Sequence, residues 1–211
     1  MTTTESSAES ATVEFDFEDG VLLDTVCKQK IADGISIMLS AVGDGVDAQG
    51  TADTPKRVAN MYDELLSGYM TDPVALLNGA MFDVEYDEMV VIKNIDFYSL
   101  CEHHLLPFYG QVHVGYLPRH KVVGLSKIPR LVEMFARRLQ VQERMTQQIA
   151  VIMDELIEPI GVGVVIEAKH LCAAMRGVRK PNTVMTTSAV RGLFKKNSLT
   201  RDEFMGHVRQ T

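Results

Sequence analysis

The chain has 211 residues, 46% of them hydrophobic and 23% charged, with a formal net charge of −7 at pH 7. That length suits one domain with a sizeable core, and the acidic balance argues against non-specific nucleic-acid binding, which leans on a basic surface. No apolar run reaches the roughly 20 residues that span a bilayer, and three cysteines in such a chain do not make a disulfide framework.

Residues 1–19 are rich in Thr, Ser, Ala and Glu and read as a flexible acidic tail. Met1 to Gly20 lacks a basic start followed by an apolar core, so the expected compartment is the cytoplasm. From Asp24 the apolar spacing is helical, with Ile31, Ile35, Met38, Leu39 and Val42 on one face up to Gly43. Thr54-Pro55 reads as a cap and first helical residue of a second helix, with Val58, Met61, Tyr62, Leu65 and Leu66 buried.

From Met89 the period changes. Val90 to Phe97 is β-rich, Tyr109 to Tyr116 alternates as a returning strand, and Val122 to Gly124 follows a turn. Ser126 is expected to cap a helix with Ile128, Leu131, Val132, Phe135 and Leu139 on one face. A further helix buries Met145, Ile149, Ile152, Met153 and Leu156 and stops at Pro159. Ile160 to Ala168 reads as a strand that Gly161 and Gly163 weaken, and Thr183 to Val190 as the last one. Thr200 to Glu203 reads as a capping box for the C-terminal helix, with Leu199 and Phe204 as its hydrophobic staple. Helices first, then a largely antiparallel sheet carrying two long helices, make an α+β fold.

The stretch Ser99 to Phe108 places Cys101, Glu102, His103 and His104 in consecutive positions between two strands. Thiolate and imidazole are ligands that zinc prefers, and a Cys-x-x-His turn can bring both to one ion. A third ligand is offered by Cys172, in the second cluster Lys169-His170-Leu171-Cys172. Three protein ligands and one open position are the pattern of a catalytic zinc. A regular strand running through His170 and Cys172 would put both on one face. Cys101 and Cys172 also have a plain reading as core thiols, and each histidine as an imidazole bonded to a carbonyl. His103 points away from His104 and can carry protons near neutral pH, and His170 has the same standing in its cluster.

The basic residues near these clusters suit an anion. Ser126, Lys127 and Arg130 stand at a helix N-terminus, whose free N–H groups favour negative charge. Arg176 follows the second cluster, and together they look like a polyphosphate cradle, although no G-x-x-x-x-G-K-[ST] loop occurs. Gln142-Glu143 opens the later helix, where a carboxylate can accept two N–H bonds such as those on the edge of guanine. An acid in a first helical turn is also commonplace.

Taken together, Ser99-Leu-Cys-Glu-His-His-Leu-Leu-Pro-Phe, Gly124-Leu-Ser-Lys-Ile-Pro-Arg and His170-Leu-Cys-Ala-Ala-Met-Arg-Gly-Val closely resemble the zinc form of GTP cyclohydrolase I, from about Asp24 to the C-terminus. The resemblance implies the tunnelling fold over residues 20–211, with subunits side by side in a closed ring of sheet and two rings stacked as a decamer. It implies sites between subunits and a reaction turning GTP into 7,8-dihydroneopterin triphosphate and formate, the first step of pterin and folate synthesis. By motif, Cys101, His104 and Cys172 resemble the Zn2+ ligands. His103 resembles the acid/base that serves the purine, and His170 the histidine of the later ring-opening and ribose steps. Glu143 resembles the guanine-holding carboxylate, with Gln142 beside it. Ser126, Lys127, Arg130 and Arg176 resemble the triphosphate contacts, with Arg57 as an addition from a neighbouring subunit. A tunnelling-fold relative that reduces a nitrile with NADPH needs no zinc, and the adjacent histidines and second cysteine favour the hydrolase over it. A zinc-stabilised interaction module would leave the two basic segments unexplained.

Overall fold

The computed structural model describes residues 24–209 apart from Asn78. The acidic stretch 1–19 lies outside the described residues. Asp24 caps the first described helix: its carboxylate accepts the Cys27 N–H at 2.7 Å, starting α1 (Thr25–Val42). Gly43, at φ 76°, ends that helix. The short α2 (Ala48–Thr51) leads to α3 (Thr54–Leu65), which pairs with α1 through a Lys28–Asp63 ion pair at 2.7 Å. Asp53 holds the cap position there, so Thr54 lies one residue inside the helix.

No residue of α1 is fully buried: Ile31, Ile35 and Leu39 are half-buried, whereas Ile37, Met38 and Val42 are exposed. The helical period is real, and among the described residues it is mainly α3 that packs on α1. Met61 of α3 is likewise exposed.

Beyond α4 (Pro73–Leu77), β1 (Met81–Asp83) pairs with β4 (Lys121–Val123) in a small antiparallel ribbon. The main sheet comprises β2 (Val90–Cys101), β3 (Pro107–Leu117), β5 (Leu139–Gln140), β6 (Gly161–His170) and β7 (Met185–Gly192), in the order β5-β2-β3-β6-β7. Every pairing is antiparallel except that of β5 with β2.

The period of two then divides the side chains. Val112, Val114, Tyr116, Val162, Val164 and Ile166 turn to one face, under α5 (Lys127–Ala136) and α6 (Gln142–Ile157). On α5 the buried face is Ile128, Leu131, Val132 and Phe135, as its spacing requires; Leu139 lies beyond it in β5. The opposite face carries a smaller cluster, in which Val165 meets Phe194 of α8 (Leu193–Lys196) and Phe204 and Val208 of α9 (Ser198–Arg209).

One local expectation fails because a helix begins earlier than its strongest sequence signal. Asn197 accepts the Leu199 N–H at 2.9 Å and α9 starts at Ser198, so Thr200 is interior. Leu199 is exposed and forms no staple, while Phe204 is fully buried against the sheet. The strand does not stay regular through Cys172: β6 ends at His170 and α7 (Leu171–Ala174) begins at once. Cys172 therefore stands on a helical turn rather than on a continued strand.

Candidate functional site

The site lies where β2 ends and β6 meets α7. Cys101 closes β2, its N–H donating to Leu106 O at 2.9 Å while its own carbonyl accepts from His104 and Leu105 at 3.2 and 2.8 Å. Leu105 takes the left-handed conformation, φ 53°, that lets so tight a turn return into β3. The turn points His104 Nδ1 back at Cys101 Sγ, 3.8 Å away.

The antiparallel register of β3 with β6 places Phe108 opposite His170, so α7 delivers Cys172 to the same spot. The donor atoms of Cys101, His104 and Cys172 all lie within 4.8 Å of one another. Tetrahedral zinc bonds of ~2.3 Å to sulfur and ~2.1 Å to nitrogen set ligands roughly 3.5–3.8 Å apart, so the set fits a zinc ion with little movement. Its chemistry fits too. Burial, and then the Cys101 sulfur beside it, push the Cys172 thiol up, because two sulfurs this close become anionic together only against a cation. Three donors of this kind leave room for a further ligand, as catalytic zinc sites do.

The neighbouring imidazoles differ. His103 is exposed, its ring nearly perpendicular to that of His104 (88°), and its Nε2 stands 3.6 Å from Glu102 Oε1. The other oxygen of Glu102 accepts from Arg144, a bond that holds the carboxyl below the usual carboxylate range. Sequence reasoning missed Arg144. No local pattern signals it, because the contact joins α6 to the turn after β2; Arg144 Nε also donates to Gln140 Oε1 at 3.3 Å, and Gln140 Nε2 donates to Gln148 at 2.9 Å.

His170 is half-buried, and its ring lies parallel to Phe108 (4°, centroids 4.7 Å apart). Burial lowers its pKa, and Glu143, exposed in the first turn of α6, opposes that shift. Gln142 turns its side chain inward: it is buried, and its Oε1 lies 2.7 Å from His170 Nε2.

The candidate anion contacts are spread over other elements. Ser126 holds the N-cap position of α5 but makes no side-chain capping bond, so its hydroxyl is not committed to the helix. Lys127 Nζ donates to Leu76 O at 2.6 Å, and Arg130 is exposed one turn along. Arg176 is exposed just past α7, in a loop turned by Gly177 at φ 60°. Arg57 is exposed on α3 and pairs with Asp53 at 3.3 Å. Among the described residues no hydrogen bond or ion pair joins Ser126, Lys127, Arg130 or Arg57 to the Cys–His–Cys group.

Comparison with known proteins bears on this geometry. The family model described as GTP cyclohydrolase I matches residues 31–209. The chain is 58% identical to GTP cyclohydrolase 1 of Wolinella succinogenes over 168 residues, 80% of this chain and 90% of the relative. It is 54% identical to GTP cyclohydrolase 1 of Campylobacter jejuni subsp. jejuni over 181 residues, 86% and 95% of the two chains. The relative from Methylococcus capsulatus, also a GTP cyclohydrolase 1, is 55% identical over 170 residues, 81% and 92% of the two chains. Sequence match, α+β architecture and the Cys–His–Cys group agree: the chain belongs to the GTP cyclohydrolase I family and has its tunnelling fold.

Proposed function

We propose that the chain is a zinc-dependent GTP cyclohydrolase, converting GTP to 7,8-dihydroneopterin triphosphate and formate. The observation that carries this reading is the convergence of Cys101, His104 and Cys172, from two distant segments, on one point beside two further imidazoles. Zinc bound there supplies Lewis-acid activation of water near neutral pH.

The chain's own side chains do the rest. Glu143 accepts the N–H groups of the guanine edge, which fixes the purine relative to the turn. Exposed His103 moves a proton at N7 of the purine while the imidazole ring opens at C8, and Glu102, tied to Arg144, holds that ring in place. His170 serves the later hydrolysis that releases formate and the ribose rearrangement that precedes ring closure. Ser126, Lys127, Arg130, Arg176 and Arg57 hold the triphosphate, so that binding energy far from the reacting carbon positions it.

Because these cations are scattered over one chain, a complete site draws on more than one subunit. The exposed apolar residues of α1 are a face that a second copy covers. We take the working form to be a homo-oligomer, a decamer of two stacked rings, acting in the cytoplasm on the first step of pterin and folate synthesis. Among the described residues no helix is long and apolar enough to cross a membrane.

The test is direct. Purified protein with its metal content measured is incubated with GTP, and formate and a fluorescent pterin after oxidation are assayed. Both are expected, together with about one zinc per chain. Cys172→Ser is expected to lose bound zinc and to lower turnover by at least ~10²-fold. Full turnover by zinc-free protein would overturn the proposal.

A further inference from the structure

Gln142 is 1% exposed, in the first turn of α6, and every polar atom of its carboxamide is engaged. Its Nε2 lies 3.1 Å from Ile166 O, 3.0 Å from Met185 O and 3.1 Å from Thr187 Oγ1. Two of those three are backbone carbonyls, which only accept, so the nitrogen must face them and the oxygen must face His170. The hydroxyls around it agree in direction. Thr146 Oγ1 donates to Gln142 O at 2.7 Å, so its contact with Thr187 Oγ1, also 2.7 Å, is one it accepts. Thr187, having given its hydrogen to Thr146, has a lone pair left for Gln142 Nε2.

The amide orientation is therefore set by β6 and β7. Gln142 Oε1 can only accept, and it lies 2.7 Å from His170 Nε2. That nitrogen must carry the proton, which leaves Nδ1 as the basic nitrogen of the neutral ring. Phe108, parallel to the imidazole at 4.7 Å, packs against the ring face and opposes a turn of the ring that would put Cε1 in place of Nε2 against Gln142.

Resting on the function proposed above, we infer that Gln142 is a positioning residue rather than a guanine contact: through its buried carboxamide it fixes the tautomer and orientation of His170, so that Nδ1 faces the reaction. An imidazole held in the wrong tautomer cannot take a proton from the side on which it is needed, and general-base contributions of 10²–10⁴-fold are at stake in such sites.

The experiment is a double-mutant cycle on the zinc-loaded, assembled enzyme. Gln142→Met is expected to lower kcat by ~10-fold to ~10²-fold, with KM for GTP within about twofold and zinc content unchanged, since a residue acting only through His170 removes no substrate binding. In a His170→Ala background the same substitution is expected to cost nothing further. Equal losses in both backgrounds, or a rise in KM in place of the fall in kcat, would overturn the inference. The tautomer is also read directly from the 15N shifts of histidine-labelled wild-type protein, assigned by the signals lost in His170→Asn. Protonated Nε2 and bare Nδ1 are expected, and the reverse pattern rejects the inference even if Gln142→Met does not fold. Zinc-loaded wild type that leaves GTP intact would refute the proposed function instead, and the tautomer measurement then decides the positioning claim by itself.

Discussion

His113 lies in the middle of β3, almost wholly buried, on the opposite face from the main core. Its Nδ1 accepts the N–H of Asn94, the left-handed residue (φ 57°) at the irregularity between Ile92 and Ile95 of β2. Burial lowers the His113 pKa below its usual 6.5, with Lys93 acting in the same direction and Glu167, 4.0 Å away, against it. The folded state therefore holds a neutral ring that the unfolded chain would protonate more readily. Stability is fully present above the unfolded value of about 6.5 and is lost as pH falls through it toward the folded value. His170, also lowered by burial, adds a slope of the same sign. Urea midpoints measured between pH 7.5 and 5.5 are expected to fall with pH. His113→Asn keeps an acceptor near the Asn94 N–H and is expected to flatten that fall in part; an unchanged slope would exclude His113 as a source.

At the scale of the element, α9 depends on glycines in the strands beneath it. A Cβ on Gly115 would come within 2.6 Å of the Phe204 ring, and one on Gly163 within 2.8 Å of Phe194 and 2.9 Å of Phe204. From sequence Gly163 is a residue that weakens a strand; in the fold its missing side chain is the seat of an aromatic pair whose rings meet edge to face at 73°. Gly163→Ala is expected to destabilise the protein by about 1–3 kcal/mol through overpacking, read as a lowered Tm with metal content unchanged. Gly206 in α9, where an added Cβ meets nothing within 4 Å, is the control. Gly206→Ala is expected to be neutral or to raise Tm slightly, because alanine favours a helix interior.

For the molecule as a whole, the α1–α3 hairpin presents apolar residues that the other described residues of the chain leave exposed. Ile37 is 68% and Val42 64% exposed. If that face is buried between subunits, Ile37→Glu is expected to shift sedimentation toward smaller species and, with sites shared between subunits as proposed above, to lower GTP turnover with them. Wild-type sedimentation for this variant would remove α1 from the interface.

Most elements were legible in the order of residues because their signals are local. Period decided helix against strand for α1, α3, α5, α6, β2, β3 and β6, and the Cys101-x-x-His104 turn named its own chemistry. Helix starts were less legible: Thr200 carries a capping pattern, yet Asn197 outside it begins the helix. Cys172 could be nominated by type alone. That it reaches Cys101 follows from the pairing of Phe108 with His170 and from α7 starting directly after His170. Arg144 on Glu102, and Gln142 on His170, could be decided only by tertiary structure. The reason is physical: a ligand type is a property of one side chain, whereas the direction of a buried amide is set by which carbonyls two neighbouring strands bring to meet it.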